Sequence, residues 1–403
     1  MNRKILSLRA QSTPPSPIRK LTSTAQKTLR RGIKIYGLNI GQPDGPAPRA
    51  FSDQINTMSH ENIPYAPSAG YEDVRKAWSR YYRSHHMPFN AEDILVTNGG
   101  SEAITFAFTA ICDPGDEIIV FEPLYPNYIS FAAQLNIKLI PISTTLSSGF
   151  HLPAEKDIVK KISSRTRAII VCNPNNPTGT VYTRTELARV ARIARRYSLF
   201  VIADETYREF VFTKASHVSM ASFPAIRQRL IVVDSVSKRF NLCGARVGCL
   251  ATKNKSILNA TLTFAQARLS ATTLEQRAII PLLVKPTAYV RHARYHYKKR
   301  RDALIKALAH IPGCTYYIPE GAFYIQVALP VDSTERFCQW MIERFHVNRT
   351  TVLLAPGSGF YATPGKGTRE VRIAFVLPAE ELAHAVTILK KGIEVYNRIP
   401  RPS

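Results

Sequence analysis

The chain has 403 residues, of which 45% are hydrophobic and 21% are charged. This length and composition predict two or three globular domains that bury a large core. The sequence has no run of about 18 apolar residues, and no apolar stretch of signal-peptide length follows its basic start, so we expect neither a membrane protein nor a secreted one. A cytoplasmic location is the main expectation. A mitochondrial transit peptide is the alternative, because the N-terminus is basic, contains serine and lacks acids.

Positive charge is concentrated in two parts of the chain. The formal net charge is +25, the first acidic residue is Asp44, and residues 289–301 hold six Lys and Arg residues. Such a surface attracts nucleic acid or anionic membranes at low salt. No recognisable nucleic-acid-binding motif accompanies the charge. We therefore expect no specific nucleic-acid partner and no membrane partner, but a solvated basic surface.

The cysteines indicate neither a disulfide framework nor a metal site. None belongs to a Cys-x-x-Cys pair, and most lie inside apolar runs, as small buried thiols do in a reducing compartment. No cluster of Cys and His has the spacing of metal ligands, so we expect no metal. The six cysteines are Cys112, Cys172, Cys243, Cys249, Cys314 and Cys338.

Residues 1–50 are predicted to form an N-terminal arm and part of a small domain. Residues 14–17 are rich in proline, residues 18–31 have a helical pattern, and Gly32 is a typical helix stop. The small domain is expected to be completed by the other end of the chain.

Residues 51–285 are predicted to form a large α/β domain. Short apolar runs, several of them separated by amphipathic stretches, predict parallel strands with helices on both faces of a sheet. Before one such stretch, 185–197, Thr183 and Glu186 have the spacing of a capping box, which predicts a helix start. The seven apolar runs are 94–97, 118–121, 138–142, 168–172, 200–203, 230–234 and 247–251.

Residues 286–403 are predicted to form a smaller C-terminal α+β domain. A long basic helical pattern covers residues 289–310, and Pro312 with Gly313 ends it. Strands and helices then mix to the end of the chain, so the clear alternation of the large domain is lost.

Short polar segments follow several of the predicted strands. Ligands of open α/β sheets bind outside the carboxyl ends of the strands. The Gly-rich turn 98–102 opens a helix, whose free backbone N–H groups suit an anion. Two Asn-Pro pairs fix a rigid polar loop at 173–179. We therefore expect these segments to form one ligand site.

Six of these stretches occur in a recognisable order. TNGGSEA, NPNNPTG, DETY, SVSKRFNLCGARVG, PEGAFY and REVRIAF span residues 97–375. With them, the chain resembles the class I/II aminotransferases of pyridoxal-phosphate fold type I, most closely the bacterial aspartate aminotransferase branch. The resemblance implies a three-layer α/β/α large domain with a mostly parallel seven-stranded sheet. It also implies a smaller α+β domain built from both chain ends, and pyridoxal 5′-phosphate as cofactor.

The resemblance implies specific roles around the cofactor ring. Lys238 would form a Schiff base with the cofactor aldehyde and, once released, move the proton at the substrate α-carbon. Asp204 would keep the ring nitrogen protonated, because an opposite charge favours the charged form. Tyr207 and Asn176 would hydrogen-bond the phenolic oxygen, and Tyr125 would stack on the ring.

A second group of residues would hold the cofactor phosphate. By the same resemblance, the backbone amides of Gly100 and Ser101 would receive it, with Ser235, Ser237 and Arg246 around it. Arginine presents a forked donor that suits phosphate.

The remaining roles concern the substrate and the partner subunit. Arg372 would clamp the substrate α-carboxylate in a bidentate pair, with Gly41 and Asn176 beside it. Tyr65 matches a family tyrosine that reaches the phosphate of the neighbouring subunit, which implies a homodimer with active sites at the interface. Cys243 lies near the lysine in sequence, and we interpret it as a packing residue.

The expected activity is transfer of an amino group from an amino acid, with aspartate as the favoured donor, to a 2-oxo acid such as 2-oxoglutarate, by a ping-pong mechanism. A β-lyase or synthase on the same scaffold is an alternative, because such enzymes keep Lys238, Asp204 and Arg372. A non-catalytic, cofactor-sensing homologue is a further alternative. It is less expected because the three residues are present and the family pattern begins by about residue 12.

Overall fold

The structure is a computed structural model that describes residues 5–58, 60, 62–214 and 216–400. Short strands and longer helices alternate through the first two thirds of the chain, as the apolar runs predict. The strands are β1 (Lys34–Gly37), β2 (Ile94–Thr97), β3 (Glu117–Glu122), β4 (Lys138–Ser143), β5 (Thr166–Cys172), β6 (Phe200–Asp204), β7 (Leu230–Ser235), β8 (Gly248–Ala251), β9 (Thr315–Tyr316), β10 (Tyr324–Ala328), β11 (Thr350–Leu353), β12 (Ala355–Pro356) and β13 (Glu370–Ala374).

Helices fill most of the remaining chain, joined by turns and short 3-10 segments. The α-helices are α1 (Leu8–Ser12), α2 (Thr22–Arg30), α3 (Arg49–Met58), α4 (Glu72–Ser84), α5 (Gly99–Ile111), α6 (Asn127–Gln134), α7 (Glu155–Val159), α8 (Arg184–Arg196), α9 (Val236–Arg239), α10 (Lys255–Ala267), α11 (Thr273–Ala278), α12 (Ile280–Val284), α13 (Thr287–Leu308), α14 (Thr334–Arg344) and α15 (Ala379–Tyr396).

The large sheet has seven strands in the order β2-β8-β7-β6-β5-β3-β4. Strands β4, β3, β5, β6 and β7 pair in parallel, whereas β8 is antiparallel to both of its neighbours, β7 and β2. All seven predicted strands are present, so the predicted mostly parallel seven-stranded sheet is confirmed. Strand β8 therefore runs in the opposite direction to the other six strands of this sheet.

The central strands are buried on both faces, which explains their continuous apolar sequence. In β5, Ile169 and Val171 belong to one hydrophobic cluster, while Ala168 and Ile170 belong to another. The first cluster also contains residues of α4 and α8, and the second contains residues of α5 and α6. Alternate side chains therefore point to opposite layers of helices, and the large part of the chain has three layers.

The helix start predicted at the amphipathic stretch is confirmed. Thr183 accepts a hydrogen bond from the backbone N–H of Glu186, and the Glu186 carboxylate accepts one from the backbone N–H of Thr183 at 2.8 Å. This reciprocal pair satisfies two N–H groups at the start of α8.

A second core lies under the C-terminal sheet. Strands β12, β13, β10 and β9 form a four-stranded antiparallel sheet, and the N-terminal strand β1 pairs in parallel with β11. Residues of α13, α14 and α15 fill the cluster beneath, together with Tyr36 and Leu38 from the N-terminal segment. Both ends of the chain thus contribute to one small α+β unit.

The beginning of the chain contacts helix α6 of the large domain. The Arg9 guanidinium donates to the carbonyl of Gln134, the last residue of α6, at 3.5 Å. Gly32 follows α2 with φ +73°, a left-handed conformation that glycine adopts without strain and that ends the helix. Within the described ranges, no helix is both long and apolar enough to cross a bilayer.

Candidate active site

One cavity opens at the carboxyl ends of β5, β6 and β7. Register pairing places Cys172 beside Asp204, and Ser235 ends the next strand. The segments that follow these strands therefore meet at one edge of the sheet, as expected for an open α/β fold. The lining side chains include ten predicted site residues: Gly100, Ser101, Tyr125, Asn176, Asp204, Tyr207, Ser235, Ser237, Lys238 and Arg246.

Lys238 lies in the single turn α9, directly after β7. Its Nζ donates to the carbonyl of Gly41 at 2.8 Å and lies 3.5 Å from the Cys243 Sγ. A Cβ on Gly41 would lie 1.8 Å from the Tyr324 hydroxyl oxygen, so only glycine fits. The lysine amine is thus anchored by a backbone segment that comes from the N-terminal part of the chain.

Asp204 ends β6 and is 6% exposed. Its Oδ2 accepts a hydrogen bond from the Tyr128 hydroxyl at 2.7 Å, and its Oδ1 accepts from the Thr206 hydroxyl at 2.8 Å. Burial raises the pKa of Asp204, while these two hydrogen bonds act in the opposite direction. A cation placed beside this carboxylate would act in the same direction as the hydrogen bonds and lower the pKa of Asp204. Sequence reasoning missed Tyr128 and Thr206, although both flank motif residues.

Tyr207 and Tyr324 join the two parts of the site. Their hydroxyl groups lie 2.8 Å apart, and the Tyr324 hydroxyl is 3.5 Å from the Gly41 carbonyl. Burial raises the pKa of Tyr207 well above its usual value, so this phenol stays protonated. Tyr324 closes the PEGAFY motif, and that motif was the available signal for its place in the site.

Arg372 is a buried cation on β13, only 1% exposed. Its Nη1 donates to Asn176 Oδ1 at 3.0 Å, and its Nη2 donates to the Asn39 carbonyl. Its Nε is buried without a hydrogen-bond partner, and among the described residues no carboxylate forms an ion pair with it. The guanidinium packs over the Tyr324 ring at 4.4 Å. Burial lowers the pKa of Arg372, which is the expected cost of an unpaired internal charge.

Part of the cavity lining has the features that suit an anion. Gly99 and Gly100 open α5, where free N–H groups point outward. Arg246, with φ +55°, donates from Nη2 to the Asn98 carbonyl at 3.2 Å, and a Cβ on Gly99 would lie 2.5 Å from that nitrogen. The glycine therefore permits the guanidinium to approach the helix start.

Two serine hydroxyl groups line the same cavity as the start of α5. The Ser235 and Ser237 Oγ atoms are 2.7 Å apart, and Ser235 Oγ also lies 3.1 Å from the Val247 carbonyl. Tyr125 lines the cavity and meets Tyr128 edge to face, with ring centroids 5.4 Å apart. Cys243 also lines the cavity, so it belongs to the site surface as well as to the packing predicted for it.

Tyr65 is the one predicted cofactor residue outside the cavity lining. It is 78% exposed, which is unusual for an aromatic side chain. Because Tyr65 is exposed on its own subunit, its contact with the cofactor phosphate of a neighbouring subunit stays a prediction.

A buried ionic network lies behind the site. Arg208 reaches Glu205 and Asp234, each at 3.1 Å, and Arg239 also pairs with Asp234. Glu205 and Arg239 are the sequence neighbours of Asp204 and Lys238. Paired charges in a protein interior hold each other's side chains in place. Removing one partner is strongly destabilising, because the other charge is then buried without compensation. Sequence reasoning missed this network, because its members adjoin the motif residues without forming a motif.

Comparison with known proteins identifies the family. The sequence profile of aminotransferase class I and II matches residues 33–389. The chain belongs to this family. It is 30% identical to a probable aspartate/prephenate aminotransferase of Aquifex aeolicus, over 97% of this chain and 99% of the relative. It is 29% identical to an aspartate/prephenate aminotransferase of Thermus thermophilus, over 94% and 97% of the two chains.

Solved aminotransferase structures have the same fold. A single mutant of Thermus thermophilus aspartate aminotransferase superposes with a TM-score of 0.88 at 27% identity, covering 97% of this chain and 100% of that one. An alanine aminotransferase from Pyrococcus furiosus gives a TM-score of 0.88 at 32% identity, with the same coverage. The chain is an aminotransferase of fold type I, and amino-group transfer is favoured over the lyase, synthase and regulatory alternatives.

Pyridoxal 5′-phosphate is the cofactor of this family, and the residues present fit it. The cavity offers an amine on Lys238, a buried carboxylate on Asp204, and a helix start with Arg246 for a phosphate. These are the three features that a phosphorylated pyridine aldehyde requires. In the described ranges, no group of three or more His, Cys, Asp or Glu side chains is placed to hold a metal ion.

Proposed function

We propose that the enzyme transfers the amino group of aspartate to 2-oxoglutarate, with each substrate bound through its α-carboxylate by Arg372. One observation carries the proposal. A buried guanidinium with a free Nε and no carboxylate partner among the described residues is costly unless a ligand supplies the counter-charge. The names of the relatives support aspartate as the donor.

The α-carboxylate would find a site with fixed geometry. Asn176 and the Asn39 carbonyl hold the Arg372 guanidinium in one orientation, and the Tyr324 ring packs against its face. A forked donor held in this way binds a carboxylate through two parallel hydrogen bonds. Because the donor amino acid and the acceptor oxo acid share this group, one arginine serves both halves of a ping-pong reaction.

The cofactor supplies an electron sink when it is bound. Asp204 would hold the proton on its ring nitrogen, and Tyr128 and Thr206 keep that carboxylate oriented. The start of α5 and the clustered hydroxyl groups support a phosphate site in this cavity. The residues that would receive the cofactor phosphate are Gly100, Ser101, Ser235, Ser237 and Arg246. Tyr125 would stack on the cofactor ring.

Lys238 would attach the cofactor and move the reacting proton. Its amine is held by the carbonyl of Gly41, so it stays at the cavity wall when it is not covalently occupied. From this position Lys238 Nζ removes the proton from the substrate α-carbon. Tyr207 and Asn176 would donate to the phenolic oxygen, and a Tyr207 phenol that stays protonated supports that role.

The active unit is proposed to be a homodimer of cytoplasmic subunits. The exposed Tyr65 ring supports a role on the neighbouring active site, and six free cysteines support a reducing compartment. Each subunit would consist of an arm within residues 1–50, a large domain at 51–285 and a small domain at 286–403. The pairing of β1 with β11 supports assigning the N-terminal segment to the small domain.

A panel of amino donors tests the proposal. Aspartate, alanine and aromatic amino acids are each supplied with 2-oxoglutarate, and the formation of glutamate and of the new oxo acid is followed. Aspartate should give the highest kcat/KM. A higher value with alanine or an aromatic amino acid would reject aspartate as the donor. Oxo-acid formation at the same rate without 2-oxoglutarate would reject transfer.

Prephenate is a second candidate acceptor, because two of the relatives are named aspartate/prephenate aminotransferases. The same panel, with aspartate as donor and prephenate in place of 2-oxoglutarate, tests it. Amino-group transfer to prephenate at a comparable kcat/KM is the expected outcome if this acceptor is used.

A further inference from the structure

A second cavity lies on the far side of α13 from the lysine of the active site. It is enclosed by α13, by the end of α4 with the residues that follow it, and by the segment 208–219. Its volume is about 670 Å³, within the range of about 300–1,000 Å³ that is typical of small-molecule sites. Nothing in the amino-group transfer described above uses this cavity.

One face of α13 directs cations into this cavity. Arg291, Arg294 and Lys298 are spaced three and four residues apart, so they lie on the same side of the helix. Lys214 enters from the facing loop. Lys298 is paired with Asp302 at 2.9 Å, but in the described part of the chain Arg291, Arg294 and Lys214 have no ion pair and no side-chain hydrogen bond.

The cavity offers these cations no free carboxylate. Glu209 is the one acidic side chain among its described lining residues. Glu209 accepts hydrogen bonds from Tyr81 and lies 3.1 Å from His85 Nε2. Although burial opposes its charge, the His85 hydrogen bond and the nearby Arg239 hold the pKa of Glu209 at about 2. Its negative charge is therefore already compensated.

Arg208 and His217 also line the cavity, and neither adds a free positive charge. Arg208 is bound to Glu205 and Asp234 in the network behind the active site. Burial and the charge of Arg208 lower the pKa of His217 to about 3, so this imidazole is neutral at physiological pH. The positive charges of Arg291, Arg294 and Lys214 are therefore not compensated by nearby carboxylates. They lie on a concave surface, and such a surface focuses the electrostatic field.

We propose that this cavity binds a small anion with two or more phosphate groups, held by Arg291, Arg294 and Lys214. The guanidinium groups of Arg291 and Arg294 come from positions about one helical turn apart, and each can form two parallel hydrogen bonds with one phosphate group. Together they suit a ligand with neighbouring phosphates. A single phosphate would leave much of the volume and part of the charge unused. Thr213 and Ser216 also line the cavity and add neutral donors.

The concave shape favours a small ligand over a nucleic acid. A nucleic acid is bound along an extended track of phosphate contacts, whereas these exposed cations line one concave surface. The strongly basic composition of the whole chain gives a general attraction for any polyanion. A test must therefore separate this cavity from the overall charge of +25.

Inorganic tripolyphosphate is the probe, titrated calorimetrically into cofactor-loaded protein at physiological ionic strength. Loading the cofactor blocks the phosphate site at Arg246. We expect saturable binding at one site per chain, weakened more than about tenfold in Arg291→Gln/Arg294→Gln, because charged hydrogen bonds are lost. The matched control is Lys27→Gln/Arg30→Gln, which removes two exposed cations of α2 and gives the same net charge.

Three results would overturn the proposal: no saturable binding, equal weakening in both double variants, or binding of a short oligonucleotide that depends on Arg291 while tripolyphosphate does not bind. Lys214→Gln provides an independent variant on a different segment, and it should also weaken binding. ATP as a second ligand distinguishes a nucleotide from free polyphosphate. Circular dichroism and transamination activity should be unchanged in every variant.

Discussion

The Arg372 guanidinium and the Asn176 side-chain amide are joined by a hydrogen bond of 3.0 Å, although 196 positions separate them in the chain. This contact connects strand β13 of the C-terminal sheet with the polar loop that follows β5 of the large sheet. It holds Arg372, a buried arginine without a carboxylate partner among the described residues, against Asn176 of the cavity lining. The proposed substrate site would therefore be assembled across the junction of the two sheets.

Replacing Arg372 by alanine should raise KM for both the amino donor and the oxo-acid acceptor. Loss of one member of a buried charge pair costs on the order of 2–5 kcal/mol, which corresponds to at least about a 30-fold fall in kcat/KM. Arg372→Lys should recover little, because it keeps the charge but not the fork. Steady-state kinetics with both substrates measure this. An effect on only one substrate would show that the α-carboxylate binds elsewhere.

Replacing Asp204 by asparagine should leave the fold and cofactor binding intact while kcat falls by on the order of 100-fold or more. The amide has the same shape and can still accept the Thr206 hydrogen bond, but it no longer stabilises a protonated ring nitrogen. Cofactor absorbance and kcat are the two measurements. Near-normal turnover with bound cofactor would contradict the assigned role.

Replacing Tyr128 by phenylalanine should have a milder and pH-dependent effect. The Tyr128 hydrogen bond lowers the pKa of Asp204 against the effect of burial, so its loss should raise that pKa further. The acidic limb of the kcat–pH profile should then move to higher pH, with a smaller change at alkaline pH. An unchanged profile would mean that Asp204 does not control the acidic limb.

Replacing Gly41 by alanine should abolish most activity. The added Cβ would lie 1.8 Å from the Tyr324 hydroxyl, which forces either Tyr324 or the carbonyl that holds Lys238 to move. Gly45→Ala is the matched control in the same loop, because its Cβ would make an ordinary contact at 3.6 Å with Asn241. Comparison of kcat/KM for the two variants is the measurement, and equal losses would argue against a specific role for the Gly41 backbone.

The stability contributed by His151 should depend on pH. His151 Nδ1 lies 3.0 Å from the Glu186 carboxylate at the start of α8, and this hydrogen bond raises the pKa of His151 above its ordinary value. A raised folded-state pKa gives stability that is fully present below the unfolded-state pKa and is lost as the pH rises through the folded-state pKa. The advantage of the wild type over His151→Gln should therefore be largest near pH 6 and shrink towards pH 9.

Urea unfolding of both proteins at the two pH values measures this difference. His346→Gln, at an exposed histidine, is the control for replacing an imidazole by an amide. A difference between wild type and His151→Gln that does not change with pH would assign the effect to packing.

The sequence alone determined the large sheet and most of the cavity lining. Each of its strands is an apolar run bounded by turn residues, because strands buried on both faces need no polar alternation. The helix start at Thr183 could be predicted from the spacing of two residues. Roles for Lys238, Asp204 and Arg246 could be predicted because the motifs that contain them occur in the order of a known family.

The tertiary structure decided which distant segments complete the site. The Gly41 carbonyl on Lys238, the Tyr324 ring beneath Arg372 and the antiparallel direction of β8 depend on how whole elements pack. The same holds for the unpaired cations of α13 that converge on a second cavity. Apolar periodicity encodes whether a local segment is buried, but contacts between segments far apart in the chain arise only when the two cores are packed together.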